Sequence, residues 1–407
     1  MCKSKVTYTQ RYYDPILYEL AKESGRVYTK ALIFYKKVLR KKNIFLSDKS
    51  ITRYVEYSEK RCLLHSQSFQ ASYQKLFDNK KSHIKALMEY KKNPSKFLSL
   101  PKMPKKRRFF QPIQFKKSAI RYKEGFIYLS LAKGLQPLKF KWNENNLAIP
   151  TFITINWNKD KRYWQLNCVL EKDIAYLNLD IHKTLAIDLG VKRIASTYDS
   201  KVAITYSGKQ IKSLIIGRNK LNSSTQHRLS KLKKNSIKYK KIKKANKRVS
   251  LRTDNKIKDI LHKTSRTIVN NAIENNIGKI AIGDCAGIHT NTSCGKVNNQ
   301  QIQQNPEQKL LKYIEYKFNN IGGSIAIVPE NYTSQTCPNC QDKNKPKNRV
   351  YKCKSCKFKD DRDIVGAKNI YKVSFGLDIK SKLDVIGFLT KPIGWKYKSN
   401  RNCKVAS

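Results

Sequence analysis

The chain has 407 residues, enough for two or three domains with a substantial core. It carries 85 Lys and Arg against 29 Asp and Glu, a formal net charge of +56, and self-repulsion on that scale calls for a polyanionic partner. The excess runs along the whole chain, which favours nucleic acid over a membrane surface; no stretch has transmembrane length and the start, MCKSKVTYTQ, lacks a signal peptide's apolar region, so a cytoplasmic, nucleoid-associated prokaryotic protein is expected.

Apolar residues at three-to-four spacing in YDPILYELAKESGRVYTKALIFYKKVLRKK predict an amphipathic helix, and a second helical block covers about 48–92. PKMPKKRRFFQPIQF breaks helix and marks a boundary. From about 113 to 172 apolar residues alternate (FIYLSLA, FITINW, YWQLNCVL), which predicts antiparallel strands in a small barrel or sheet. Near 182, HKTLAIDLGVKRIASTYDS reads as a strand, an acid, a glycine turn and a second strand. A basic helical region follows over about 219–275, with the run KLKKNSIKYKKIKKANKRVS. Such a run usually faces solvent, but on so basic a chain it is expected to track phosphates. The strand KIAIGDCAGI comes next, then a polar linker and helix to about 320, the strand GGSIAIVPE and a cysteine cluster. A short helix begins near Asp363, and residues 373–407, basic and without periodicity, are expected to form a weakly ordered tail.

Ten cysteines in a reduced compartment are read as metal ligands or free thiols before disulfides. Four are organised: Cys337 and Cys340 in CPNC, Cys353 and Cys356 in CKSC. Each Cys-x-x-Cys offers two thiolates to one side, and two such knuckles close a tetrahedral site for structural Zn2+ with no open position for water. A redox dithiol would need only one such motif.

Asp188 sits on the apolar strand LAID, where an unpaired acid costs several kcal/mol to bury, so a metal or a donor is expected beside it. In DDRDIVGAKNI, capping of the helix N-terminus would account for one or two of Asp360, Asp361 and Asp363 without any chemistry.

The order IDLG, a distant IGD strand, YTSQTC, two Cys-x-x-Cys pairs and DRDIVGAKNI resembles the TnpB (OrfB) family of transposon-encoded proteins, related to the compact type V CRISPR effectors. The resemblance covers about 180–372. It implies an RNase H-like (RuvC) nuclease domain of α/β class over 180–336 and 357–372, with an inserted zinc ribbon over 337–356. It further implies a wedge-like β-barrel (1–14 and 96–175) carrying a helical recognition insertion (15–95). The implied activity is RNA-guided, Mg2+-dependent cleavage of DNA. The partners are then a guide RNA from the transposon end and double- and single-stranded target DNA, with no membrane and no obligate protein partner. Two Mg2+ ions about 4 Å apart suit phosphodiester hydrolysis, and carboxylates suit those hard cations. By motif, Asp188 matches the first acid and Asp363 the third.

The second acid departs from the pattern. Many relatives carry Glu-Asp at the end of the middle strand, where this chain has Gly283 and Asp284. Strand parity turns Asp284 away from the face that position 283 uses. Three readings remain: Glu330, at the end of the neighbouring strand, supplies the missing carboxylate; Asp284 does so across a bulge; or the nuclease is inactive and the chain is an RNA-guided DNA-binding regulator. A transposase proper is the least favoured, since no catalytic tyrosine accompanies a His-x-His pair. Candidate phosphate contacts are Lys105, Lys106, Arg107, Arg108, Lys240, Lys241, Lys243, Lys244, Arg252 and Lys256, and His262 is read as an ordinary exposed position on the same helix.

Overall fold

The computed structural model describes residues 3–405 except 60–62, 108–110, 143–147, 159–161, 174–175, 285–294, 331, 345, 347, 377–392 and 399–400. The chain divides into two units, Met1–Asp173 and Ile174–Ser407.

The first unit contains β1 (Lys3–Tyr12), α1 (Leu17–Lys42), α2 (Asp48–Ser58) and α3 (Ser66–Lys92), then β2 (Ile113–Lys116), β3 (Ile120–Lys123), β4 (Phe126–Leu129), β5 (Leu138–Lys141), β6 (Phe152–Asn158) and β7 (Tyr163–Asp173). The predicted helical block thus divides in two: Ser47 caps α2 by accepting from the Ser50 N–H, and His65 caps α3. The strands are antiparallel as the alternation implied, in a four-stranded sheet ordered β1-β7-β6-β2 and a three-stranded sheet β3-β4-β5. One apolar core joins these strands to the helices, with Leu20, Tyr28 and Tyr35 of α1 buried beside Phe115, Ile153 and Leu166.

The second unit is built on a seven-stranded sheet. It opens with β8 (Asp180–Asp188), β9 (Arg193–Tyr198) and β10 (Ala203–Ser207), followed by α4 (Lys209–Ser230), α5 (Ile237–Glu274) and β11 (Ile277–Gly283). Next come α6 (Lys296–Gln304), α7 (Glu307–Asn319) and β12 (Ser324–Val328). The hairpin β13 (Val350–Lys352) and β14 (Lys359–Asp361) leads into α8 (Arg362–Val373), and β15 (Ile393–Lys398) and β16 (Arg401–Val405) close the chain. Strand order is β12-β11-β8-β9-β10-β15-β16, with β11 and β12 parallel to β8 and with β9 antiparallel to it.

Strand β11 and the Thr184–Ile187 part of β8 are buried on both faces, which explains their near-continuous apolar runs. Leu185, Ile187, Ile280 and Ile282 face α5 and α7, and the alternate residues Ala186 and Ala281 face α8 through Ile370. The basic helical region is two helices, α4 and α5, with the turn marked by Asn235 in the left-handed region (φ 71°) and by Ser236, which caps α5. Within the stretch 373–407, β15 adds in parallel to β10 and β16 pairs back on β15, by backbone hydrogen bonding that no side-chain periodicity announces, while 377–392, 399–400 and 406–407 lie outside the described residues. No described helix is long and apolar enough to cross a membrane.

Candidate active site

The sheet's parity selects the acids. Asp188, the last residue of β8, lies two positions beyond Ala186 and shares its face toward α8; Gly283 stands in the same relation to Ala281. The ladder between β11 and β12 continues through Gly283, paired with Val328, and on to the Asp284 N–H, which donates to the Val328 carbonyl at 2.8 Å. No bulge reverses the parity there, and Asp284 is exposed.

The space above Gly283 is taken by Glu330. A Cβ at position 283 would lie 2.1 Å from Glu330 Oε1 and 2.4 Å from its Cγ. A carboxylate arriving from the loop after β12 therefore fills the volume that a longer residue on β11 would need. Asp188 is packed as closely against α8: a Cβ at Gly366 would sit 2.6 Å from Asp188 Oδ2. Glycine inside a helix costs about 1 kcal/mol relative to alanine, and here it makes room for the acid.

Asp363 opens α8, and Asp361 caps the helix by accepting from the Asp363 N–H at 3.0 Å. Asp360 is buried and paired with Lys368 at 2.7 Å. The capping reading therefore holds for Asp361, which leaves the Asp363 carboxylate to face the cavity. That cavity, about 590 Å³, is lined by Asp188, Ser196, Asp363 and three arginines, Arg193, Arg349 and Arg362. Arg349 meets Asp363 at 3.3 Å and Arg193 meets it at 3.7 Å while also pairing with Asp361.

Burial, then the neighbouring Glu330, Asp363 and Glu307 carboxylates, push Asp188 well above the usual carboxylate range. Burial also raises Asp363, against the opposing pull of Arg349 and Arg193. Acids crowded in this way are a donor set for hard divalent cations, whose charge would relieve the crowding. Glu307, a buried acid that begins α7, was not anticipated from the sequence. It accepts a hydrogen bond from Asn305, and Asn305 also donates to the Gly190 carbonyl at 3.2 Å, just beyond Asp188.

The four cysteines converge. Cys337 and Cys356 Sγ lie 3.6 Å apart, Cys340 and Cys353 Sγ 3.3 Å, and all four fall within 4.8 Å of one another. That is the spacing of a closed tetrahedral thiolate site, and the soft donor set fits zinc. Burial raises Cys337 to about 12, while against its own burial the Phe358 backbone and the neighbouring cysteines lower Cys356 to about 6, and a cation bound between the sulfurs would displace the protons that remain.

Lys105, Lys106 and Arg107 of the first unit are exposed, as are Lys240, Lys241, Lys243, Lys244, Arg252 and Lys256 on α5. Arg108 lies outside the described residues. His262 is packed rather than exposed, its ring stacked on Tyr313 with centroids 4.0 Å apart.

Residues 177–289 match the OrfB family described as "Probable transposase", and residues 308–370 match the "Cas12f1-like, TNB domain". A TnpB-like protein of Methanocaldococcus jannaschii is 30% identical over 211 residues, which is 50% of this chain and 66% of that protein. The chain belongs to the TnpB family. InsQ of Escherichia coli K12, a provisionally named RNA-guided DNA endonuclease, is 25% identical over 218 residues, 51% of this chain and 53% of InsQ. The matches thus span about half to two thirds of the length of these TnpB-like relatives. A cryo-EM structure of a Cas12f1–sgRNA–target DNA complex superposes with a TM-score of 0.54 at 15% identity, covering 86% of this chain and 81% of that one. This TnpB-family chain therefore shares its fold with that Cas12f1 chain.

Proposed function

We propose that the chain is an RNA-guided, divalent-cation-dependent DNA endonuclease encoded by a transposon, with Asp188, Glu330 and Asp363 as its catalytic carboxylates. One observation carries the reading. The vacancy at Gly283 is filled by the Glu330 carboxylate on the face that also holds Asp188, so a third acid is supplied without Asp284. The relationship to InsQ and the fold shared with the Cas12f1 complex support RNA and DNA as partners.

The three carboxylates would hold Mg2+, which when bound activates water and stabilises the leaving oxygen of a phosphodiester. The protein's own share is positioning: β8 fixes Asp188 by ladder hydrogen bonds, α8 fixes Asp363 through its cap, and Arg193 and Arg349 hold the Asp363 carboxylate in place. Zinc in the four-cysteine site would fasten the β13–β14 hairpin that leads into α8. The first unit is read as a wedge with a helical recognition insertion, and its exposed Lys105, Lys106 and Arg107, like the lysines of α5, as phosphate contacts.

The purified chain with a guide RNA and Mg2+ is expected to cut matching DNA, and Asp188→Ala to abolish cutting while guide binding persists. Cleavage retained by that variant would refute the assignment. Glu330→Gln is expected to lose cleavage and Asp284→Asn to keep it; the reverse pattern would return the second acid to β11.

A further inference from the structure

An acid on a central strand is placed by the ladder on both sides of it. Glu330 lacks that support, because it lies beyond the end of β12 (Ser324–Val328). Asp363, the other acid that presses on Asp188, comes from a separate element, α8. Something other than the sheet must fix the distance between the two.

Asn369 meets that need. It lies on α8 with no exposed surface, and its Nδ2 donates to the Thr333 carbonyl at 2.6 Å and the Thr336 carbonyl at 2.8 Å. Thr333 turns back on Glu330: its N–H and its Oγ1 donate to the Glu330 carbonyl at 3.2 and 3.0 Å. One turn further along α8, buried Lys372 donates to the Pro338 carbonyl at 2.7 Å, inside the first cysteine knuckle. The segment from Glu330 to Cys337 is thus stapled to the helix that bears Asp363, by Asn369 at the acid end and Lys372 at the zinc end.

We propose that Asn369 is a positioning residue that sets Glu330 against Asp363 and Asp188, and thereby sets the affinity of the carboxylate site for divalent cations. This rests on the reading of those carboxylates as a cation site. A buried amide with two carbonyl acceptors also serves any packed helix that holds a loop, so the test reads the carboxylate site apart from folding and zinc.

The full zinc-loaded chain is titrated with Mn2+, followed by the EPR signal of the free ion, with zinc content measured on the same samples. Asn369→Ala is expected to bind Mn2+ about tenfold more weakly while retaining its zinc, because Lys372 and the cysteines are untouched. Thr333→Val, which keeps the shape and loses only the Oγ1 bond, shifts affinity in the same direction by less, and carries the test if Asn369→Ala does not fold. In cleavage, the Asn369→Ala defect recovers as Mn2+ is raised, with binding of target DNA unchanged. Wild-type Mn2+ affinity in Asn369→Ala, or weakening that appears only with loss of zinc, overturns the proposal. A wild-type chain whose Mn2+ uptake is indifferent to Asp188→Ala overturns the nuclease reading as well, so the two failures are told apart.

Discussion

Two glycines make room for carboxylates by what they lack. Gly283 leaves room for Glu330, and Gly366 leaves room for Asp188. Gly283→Ala would put a methyl group 2.1 Å from Glu330 Oε1, so the carboxylate must leave its place. Displacement of a catalytic group by about 1 Å can cost about a hundredfold in rate, and a loss of that order in single-turnover cleavage is expected, with little change in melting temperature. The informative partner is the double variant Gly283→Glu with Glu330→Ala, which returns the acid to the strand. Partial recovery of cleavage over Glu330→Ala alone would show that the two positions share one function; no recovery would sink that idea. Gly366→Ala separates stability from activity in another way. Alanine gains about 1 kcal/mol of helix propensity, yet its Cβ falls 2.6 Å from Asp188 Oδ2. Cleavage should fall while the melting temperature holds or rises, and a variant that cuts normally would show that Asp188 has room to spare.

Elements built on local patterns were legible in the sequence, and those built on distant pairing were not. Buried runs announced β8 and β11, and the paired Cys-x-x-Cys knuckles announced the ribbon, because burial and ligand spacing are written locally. Periodicity says which face is covered but not by what. It therefore could not show that β15 joins β10, that Arg349 from the ribbon reaches Asp363, or that Asn369 staples the loop behind Glu330. The glycine of DRDIVGAKNI was a readable signal that went unused, since a glycine within a helix calls for a packing reason. The contact of α5 with α7 carries a pH-dependent term of the same hidden kind. Lys317 is buried there, donates to the His262 carbonyl and to Ser265 Oγ at 2.5 and 2.6 Å, and burial lowers it to about 8. A lysine depressed in the fold takes up its proton on unfolding, so its contribution to stability rises as pH climbs from about 8 toward the free-lysine value of about 10.4. Chemical denaturation at successive pH values should show that rise in the wild type and not in Lys317→Met. Parallel curves for the two proteins would remove Lys317 as the cause.

At the scale of the molecule, charge without an apolar counterpart is what most favours a polyanion. The first half of α5 makes the case: none of residues 237–256 is buried, while the apolar face that docks the helix begins at Ile257. Asn246 and Ser250 tie this half to Asn222 of α4, and the side chains it offers to solvent are mostly basic. Lys243 lies over the Tyr239 ring at 5.7 Å, which leaves its neighbours Lys240, Lys241 and Lys244 exposed around the same turn. Replacing Lys240, Lys241, Lys243 and Lys244 with Gln lowers the formal charge only from +56 to +52. A diffuse attraction would hardly register that change. Direct contacts would, because each phosphate neutralised on duplex DNA contributes about 0.9 to the slope of log affinity against log salt. With random-sequence duplex, the quadruple variant is therefore expected to lose about 3.6 units of slope and to bind more weakly at low salt, with its melting temperature unchanged. A slope equal to the wild type's would mean that this half of α5 does not touch the nucleic acid, and that the charge acts only as a field.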